Sequence, residues 1–116
     1  MRLISHRGNV DGKYPQYENL PEYVDKALSL GYDVEVDLWI DNDGYYLGHD
    51  EPTYPINLKW LTDRYLHLWI HCKDLRTLSE MRELQLEMHV NLNYFFHNTD
   101  DSCLLYTSDA ADELRS

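Results

Sequence analysis

Short apolar segments alternate along the chain with longer amphipathic ones. Residues 33–40 alternate Val and Leu with Glu, Asp and Trp, a period of two that predicts a half-buried β-strand. Residues 20–28 carry apolar side chains at helical spacing, with Glu18-Asn19 near the cap, Pro21 in the first turn and Gly31 after the last. The pattern therefore predicts a helix that leads directly into a strand.

The other predicted elements extend this alternation in both directions. They are, in chain order, a strand at 3–5, a return strand at 45–48 after the Asn42-Asp43-Gly44 turn, a loop with Pro52 and Pro55, a short helical piece near 58–65, a strand at 66–72, a helix at 75–86 and a strand at 89–96. In the last helix we expect Asp74 as the cap and Leu75, Leu78 and Met81 to face inward.

Repeated strand–helix units of this size predict an α/β fold with a parallel sheet and helices outside it. The chain has 116 residues, enough for one domain at most. Its only cysteines, Cys72 and Cys103, do not make a disulfide framework.

Charge and hydropathy narrow the classes of partner. The formal net charge of −11 argues against binding to nucleic acid or to an anionic membrane surface, since both need basic patches. No segment approaches the roughly 20 apolar residues of a membrane span, and the N-terminus has no apolar signal-peptide core. We therefore expect a cytoplasmic protein without stable membrane insertion. A small phosphate ester remains compatible, because a bound cation reverses the local field of an acidic cleft.

Three polar motifs fall where predicted strands end, at 6–8 (His-Arg-Gly), at Glu35 and Asp37, and at 49–50 (His-Asp). The carboxyl ends of parallel strands form the active-site face of βα folds. Glu35 and Asp37 project from one face of a strand with Cα atoms roughly 6.5 Å apart. That spacing suits one hard divalent cation, which would also neutralise two acids in an apolar strand. Taken singly, each motif is more often a strand end or a solvated face.

Taken together and in order, these motifs resemble the signature of glycerophosphodiester phosphodiesterases. The matching residues are His6, Arg7, Gly8, Glu18, Asn19, Glu35, Asp37, Asp43, Gly44, His49, Asp50 and Lys73. The resemblance runs from Ser5 to Lys73 and more weakly to Phe96. It implies the N-terminal half of a TIM (β/α)8 barrel, about four parallel strands with flanking helices. A full barrel takes about 250 residues and eight strands.

The resemblance also implies a reaction, the metal-assisted hydrolysis of a small-molecule glycerophosphodiester to an alcohol and glycerol phosphate. It assigns the acid/base roles to His6 and His49 and the phosphoryl contact to Arg7. Glu18 would steady this first cluster, and Lys73 would add positive charge near the phosphate. One divalent cation, Mg²⁺ or Ca²⁺, would be held by Glu35, Asp37 and His71.

One departure from the family pattern leaves alternatives open. The family usually has Glu two residues before the strand-three lysine, where this chain has His71, and imidazole suits transition metals better than Ca²⁺. His71 is accordingly a metal ligand, a group that contacts a metal ligand, or a group that contacts the substrate. Two rival functions are a metal-independent, phospholipase C-like cleavage by the histidines and Arg7, and a non-catalytic barrel that binds a phosphate ester.

The last residues read differently from the rest. Cys103 to Glu113 resembles a conceptual translation of a transposase sequencing adapter. We therefore expect a partial phosphodiesterase domain at 1–102 and a non-native tail at 103–116, the alternative being an ordinary polar tail. We expect the genuine sequence to continue beyond Ser102, and the 116-residue chain alone to be poorly soluble or inactive because half a core would be exposed.

Overall fold

The computed structural model describes the backbone of residues 3–98 and 103–106 and the side chains of residues 3–96. Within these described residues, three helices and seven strands follow one another. They are β1 (Ile4–His6), α1 (Pro21–Ser29), β2 (Asp33–Asp41), β3 (Gly44–Leu47), β4 (Tyr54–Ile56), α2 (Leu58–Arg64), β5 (Leu68–Cys72), α3 (Leu75–Met88), β6 (Tyr94–Asn98) and β7 (Cys103–Tyr106), with a 3₁₀ turn at Tyr65–His67 between α2 and β5.

The strands form one mixed, open sheet in the order β4-β3-β2-β5-β6-β7. β1, β2, β5 and β6 are parallel neighbours in chain order, whereas β3, β4 and β7 add antiparallel pairs. β1 pairs with 33–35 of β2 and β3 pairs with 38–41, so both lie on the edge of β2 opposite β5. The α/β class is thus confirmed, and four strands run parallel as expected, but the sheet as a whole is mixed and not the parallel sheet that the sequence predicted.

The two faces of the sheet differ in chemistry. Alternate residues of β2 and β5 pack with apolar residues of α1, α2 and α3 into one core, which includes Val24, Ala27, Val34, Val36, Leu38, Leu61, Ile70, Leu78 and Met81. The intervening residues of β2 and β5 point to the other face and carry the acids, imidazoles and indoles. The helices therefore cover the apolar face, and the chemistry lies opposite.

Local signals placed most helix ends correctly. Pro21 opens α1, Gly31 follows it with a positive φ of 94°, and the Asp74 carboxylate accepts a hydrogen bond from the Thr77 amide as the cap of α3. Glu18 and Asn19 lie near the cap of α1 as expected, and the cap position itself is taken by Leu20 without a side-chain cap hydrogen bond.

Several boundaries differ from the expectations. The two-proline loop contains β4, the strand expected at 66–72 begins as a 3₁₀ turn, and the strand expected from residue 89 starts only at Tyr94. Leu75 is 63% exposed instead of inward, because it is the first residue of α3 and the buried stripe starts at Thr77. His89 ends α3 in the left-handed conformation, and β6 therefore begins only at Tyr94.

The adapter-like segment is only partly described. Cys103–Tyr106 pairs antiparallel with β6, while residues 99–102 and 107–116 lie outside the described residues. Whether this tail is native stays a prediction. Over the part of the chain that the structure describes, no helix is long and apolar enough to cross a membrane.

Candidate active site

The residues that the sequence singled out converge on the buried carboxylate of Asp37. This side chain projects from the middle of β2 and is 1% exposed. Its Oδ1 atom lies 3.0 Å from His71 Nδ1, and its Oδ2 atom accepts a hydrogen bond of 3.0 Å from Asn19 Nδ2. Arg7 Nε lies 2.9 Å from the same Oδ2 atom, and His49 Nδ1 lies 3.6 Å from it. One carboxylate thus joins groups from four separate segments.

Arg7 is held by both its side chain and its backbone. Its Nη1 atom donates a 3.0 Å hydrogen bond to Glu18, while its Nε–H, 2.9 Å from Asp37, makes an ion pair without hydrogen-bond alignment. The backbone has a positive φ of 58°, and it donates to the Glu35 carbonyl at 2.6 Å and accepts from the Asn19 amide at 3.0 Å. Such a conformation persists only where the surroundings impose it. The guanidinium is therefore fixed between two carboxylates.

The glycine of the first motif has a steric cause. Gly8 adopts φ of 91°, and a Cβ atom there would meet Tyr23 Cδ2 at 2.8 Å and the Tyr23 backbone at 3.2 Å. The loop therefore lies directly against α1. This close approach places Arg7 beside Glu18.

Asn19 combines two functions in the loop before α1. It is fully buried with a positive φ of 67°, a conformation that asparagine tolerates better than most residues. Its side-chain amide donates to Asp37 Oδ2, and its carbonyl oxygen accepts from the Asp37 backbone amide at 2.9 Å. The amide nitrogen and the carbonyl oxygen of the Asn19 side chain thus both hydrogen-bond to Asp37 of β2.

Glu18 belongs to the same network. Its Oε1 atom accepts from Arg7, and its Oε2 atom accepts a 2.9 Å hydrogen bond from Asn9 Nδ2. Burial by itself raises the pKa of Glu18, but the contacts with Asn9 and Arg7 lower it below the ordinary value. Glu18 is therefore ionised at neutral pH and holds Arg7 from the side opposite Asp37.

His6 and Glu35 form a second imidazole–carboxylate pair on the same face. They are direct partners in the β1–β2 ladder, and His6 Nδ1 lies 3.0 Å from Glu35 Oε2. The His6 side chain is 71% exposed, so its imidazole lies at the surface.

The hairpin carries His49 to the cluster. Gly48 donates its amide to the Asp37 carbonyl at 3.1 Å and accepts from Trp39 Nε1 at 2.8 Å, which fixes the end of β3. A Cβ atom on Gly48 would collide with the Glu51 carbonyl, so the tight turn requires glycine. His49 is 48% exposed and also lies 3.7 Å from Asp50.

His71 is the most enclosed imidazole of the cluster. Its ring stacks on Phe95 with centroids 5.0 Å apart and an interplanar angle of 4°, and its side chain is 15% exposed. Lys73 follows two residues later at the end of β5, with its backbone amide on the Leu38 carbonyl at 3.0 Å. The stacking and the Asp37 contact together fix the orientation of the His71 ring.

The charges of the cluster set the ionisation of Asp37. Burial by itself raises the pKa of this carboxyl, but hydrogen bonds from His71 and Asn19 act in the opposite direction. The charges of Arg7 and Lys73 add to them, and the pKa falls to about 2. Burial also lowers the pKa of Arg7, but its hydrogen bond to Glu18 and the neighbouring carboxylates raise it above the ordinary value. Both groups are therefore charged at neutral pH.

The donor set does not fit the expected divalent cation in this arrangement. Across residues 3–98 and 103–106, no group of three or more His, Cys, Asp or Glu side chains is placed to hold a metal ion. Glu35 pairs with His6, while Asp37 is occupied by Arg7, Asn19 and His71. The two carboxylates share a face but have separate partners. Metal binding by Glu35, Asp37 and His71 stays a prediction.

The cluster reaches the surface through His6 and His49, whose side chains are 71% and 48% exposed. A separate surface cavity of about 420 Å³ is lined by Pro21, Glu22, Pro55, Ile56, Asn57 and Trp60 and includes none of these residues.

The structure thus joins Arg7, Glu18, His49 and His71 to Asp37 directly or through one partner, leaves His6 and Glu35 as a separate pair on the same face, and adds other residues. Asn19 had matched the family pattern without being given a role, and Asn9 and Phe95 were not singled out. Asn19 followed by Pro21 at a helix entry was the available signal, whereas the partners of Asn9 and Phe95 depend on tertiary contacts.

Comparison with known proteins finds no matching family model, no matching curated protein and no matching solved structure. The resemblance to glycerophosphodiester phosphodiesterases is therefore carried by the quoted motifs alone. A function for this chain can be proposed only from the geometry of the cluster.

Proposed function

We propose that this chain carries the phosphate-binding and acid/base half of a phosphodiester hydrolase that cleaves glycerophosphodiester-like substrates to an alcohol and glycerol phosphate. One observation carries the proposal: Arg7, His49 and His71 surround the Asp37 carboxylate, and the His6–Glu35 couple stands beside them on the same sheet face. These groups come from segments far apart in sequence. Burying an acid so that it can assemble three basic groups has a cost, which a site for an anionic ester explains.

The chemistry needed by such a reaction matches these groups. A proton must leave the attacking water, another must reach the departing alkoxide, and the phosphoryl oxygens must be neutralised. The exposed imidazoles of His6 and His49 are accessible for the two proton transfers. Arg7 neutralises phosphoryl oxygens by charge-assisted hydrogen bonds, and Lys73 adds a second positive charge.

The finer fold belongs to the same proposal, namely the N-terminal half of a (β/α)8 barrel. The sequential parallel order β1-β2-β5-β6, with α1 and α3 among its connections, supports it. The polar face of this sheet would then line the barrel interior at its carboxyl end. In this arrangement β7 occupies the edge of β6 where the next parallel strand would pair.

The metal-independent route is the second candidate, because the cation nearest Asp37 is Arg7. In this route, the two imidazoles and the guanidinium suffice. A barrel that only binds a phosphate ester remains the third candidate, and turnover separates it from the first two.

The first experiment measures phosphate-ester binding by the 116-residue chain. Glycerol 3-phosphate and glycerophosphocholine are titrated while the imidazole signals of His6 and His49 are followed by NMR. We expect saturable shifts that Arg7→Gln abolishes. His67→Ala is the matched control, since His67 also pairs with a carboxylate, Asp33, but at the other end of β5. Shifts that are absent, or that survive Arg7→Gln, would refute the proposed phosphate site.

A further inference from the structure

We infer that Arg7 is the resident cation of this site and occupies the place at Asp37 where the resemblance implies a divalent metal ion. Arg7 neutralises Asp37 in this way whether or not the chain is catalytic. The consequence, a phosphodiesterase that needs no divalent cation, rests on the metal-independent candidate for the proposed function.

The contacts of Arg7 are those of a bridging cation. Nη1 donates to Glu18 at 3.0 Å, Nε lies 2.9 Å from Asp37 Oδ2, and the positive charge also acts on Glu35. One guanidinium thereby contacts two carboxylates, Glu18 from the loop before α1 and Asp37 from β2. This is the arrangement by which a bound cation offsets buried acids.

The partners of the carboxylates leave little room for a second cation. Asp37 has His71 on Oδ1 and Asn19 and Arg7 on Oδ2. Glu18 has one donor on each oxygen, Arg7 and Asn9. A hard cation needs six or more oxygen ligands for Ca²⁺, or near-ideal octahedral geometry for Mg²⁺, and it would also meet the repulsion of the guanidinium.

Backbone contacts also hold Arg7 in place, so its position does not depend on the side chain alone. The left-handed conformation of Arg7 is clamped between the Glu35 carbonyl and the Asn19 amide. Gly8 behind it is pressed against Tyr23. A side chain that merely filled an empty metal site would not need this support. The positive charge beside Asp37 therefore belongs to a side chain of the protein and not to a bound ion.

Calorimetric titration of the whole chain with CaCl₂, MgCl₂ and MnCl₂ tests the inference. We expect no saturable binding tighter than about 1 mM. Thermal melts with millimolar metal provide a second readout. Wild type and the control Asp63→Asn, which removes an exposed acid paired only with Lys59, should change equally little. Arg7→Gln should gain unfolding temperature with the same ions, because its acids have lost their internal counter-ion.

Submillimolar binding by the wild-type chain that weakens tenfold or more in Asp37→Asn would overturn the inference. If Arg7→Gln does not fold, the wild-type titration decides alone. The result is separable from the proposed function, since metal binding is measured without substrate and the phosphate-ester titration is done without metal.

Discussion

Asp37 and His71 are direct partners across the parallel ladder of β2 and β5, and their side chains meet at 3.0 Å. The same relationship is repeated on the other edge of β2, where His6 faces Glu35 in register and approaches it to 3.0 Å. Two acids spaced two residues apart on one strand thus each orient an imidazole from a neighbouring strand, one on each side. This explains the acid-x-acid spacing without a shared metal ion.

The buried Asp37 carboxylate should make stability depend on pH in the acid range. Its pKa is about 2 in the folded chain against an ordinary 3.8. A depressed folded pKa means that the stabilisation is present above pH 3.8 and is lost as the pH falls through about 2. The difference corresponds to about 2 kcal/mol.

Urea unfolding of wild type and Asp37→Asn from pH 5 down to about pH 2 measures this effect. The wild-type free energy of unfolding should fall by about 2 kcal/mol more than that of the variant. If the free energies of unfolding of wild type and variant fall in parallel with pH, the pKa of Asp37 is not depressed in the folded chain.

Gly8 should tolerate no side chain. Gly8→Ala adds a Cβ atom against Tyr23 and places alanine at a positive φ, which together should cost about 3 kcal/mol of unfolding free energy. Gly12→Ala is the matched control, because Gly12 has φ of 123° and no atom within 4 Å of the added Cβ. It should lose only about 1 kcal/mol. Equal losses in chemical denaturation would contradict the close approach of the loop to α1.

Asn19 should be sensitive for two separable reasons. Asn19→Ala removes both hydrogen bonds to Asp37 and should cost about 3 kcal/mol in chemical denaturation. Asn19→Gly removes the same bonds but accommodates the positive φ, so it should be about 1 kcal/mol more stable than the alanine variant. An alanine variant as stable as glycine would argue against the left-handed conformation.

The two exposed histidines of the cluster, His6 and His49, should control turnover in an active protein that contains this chain. We expect His6→Ala and His49→Ala each to lower kcat on glycerophosphocholine by about 10²–10⁴-fold with an unchanged circular dichroism spectrum. His67→Ala, at the far end of β5, should keep wild-type rates. A near-normal rate for either His6→Ala or His49→Ala removes that residue from the acid/base role.

The 116-residue chain by itself is expected to be poorly soluble or inactive, because its sheet is open and an open sheet leaves strand edges available for aggregation. Glycerophosphocholine hydrolysis followed by choline release measures this directly. Robust turnover by the chain alone would show that the described strands suffice for the reaction.

Much of the local structure was predictable because its causes are local. The period of β2, the Pro21 and Gly31 ends of α1 and the Asp74 cap depend on residues within one or two turns of each other. The boundaries that failed depended on more distant packing, as at Leu75, where α3 turns its first residue to solvent.

The sequence by itself determined the α/β class, the order of the three helices and five of the strands, though not β4 or β7, and the set of polar residues at strand ends, since spacing along a chain dictates which side chains share a face. Only the tertiary structure decided how those residues pair. His71 and Asp37 are 34 positions apart, and Arg7 and Asp37 are 30 apart, so their contacts require parallel strands in one particular register. That register makes Asp37 the partner of a guanidinium and an imidazole, where the spacing alone had indicated a metal ligand.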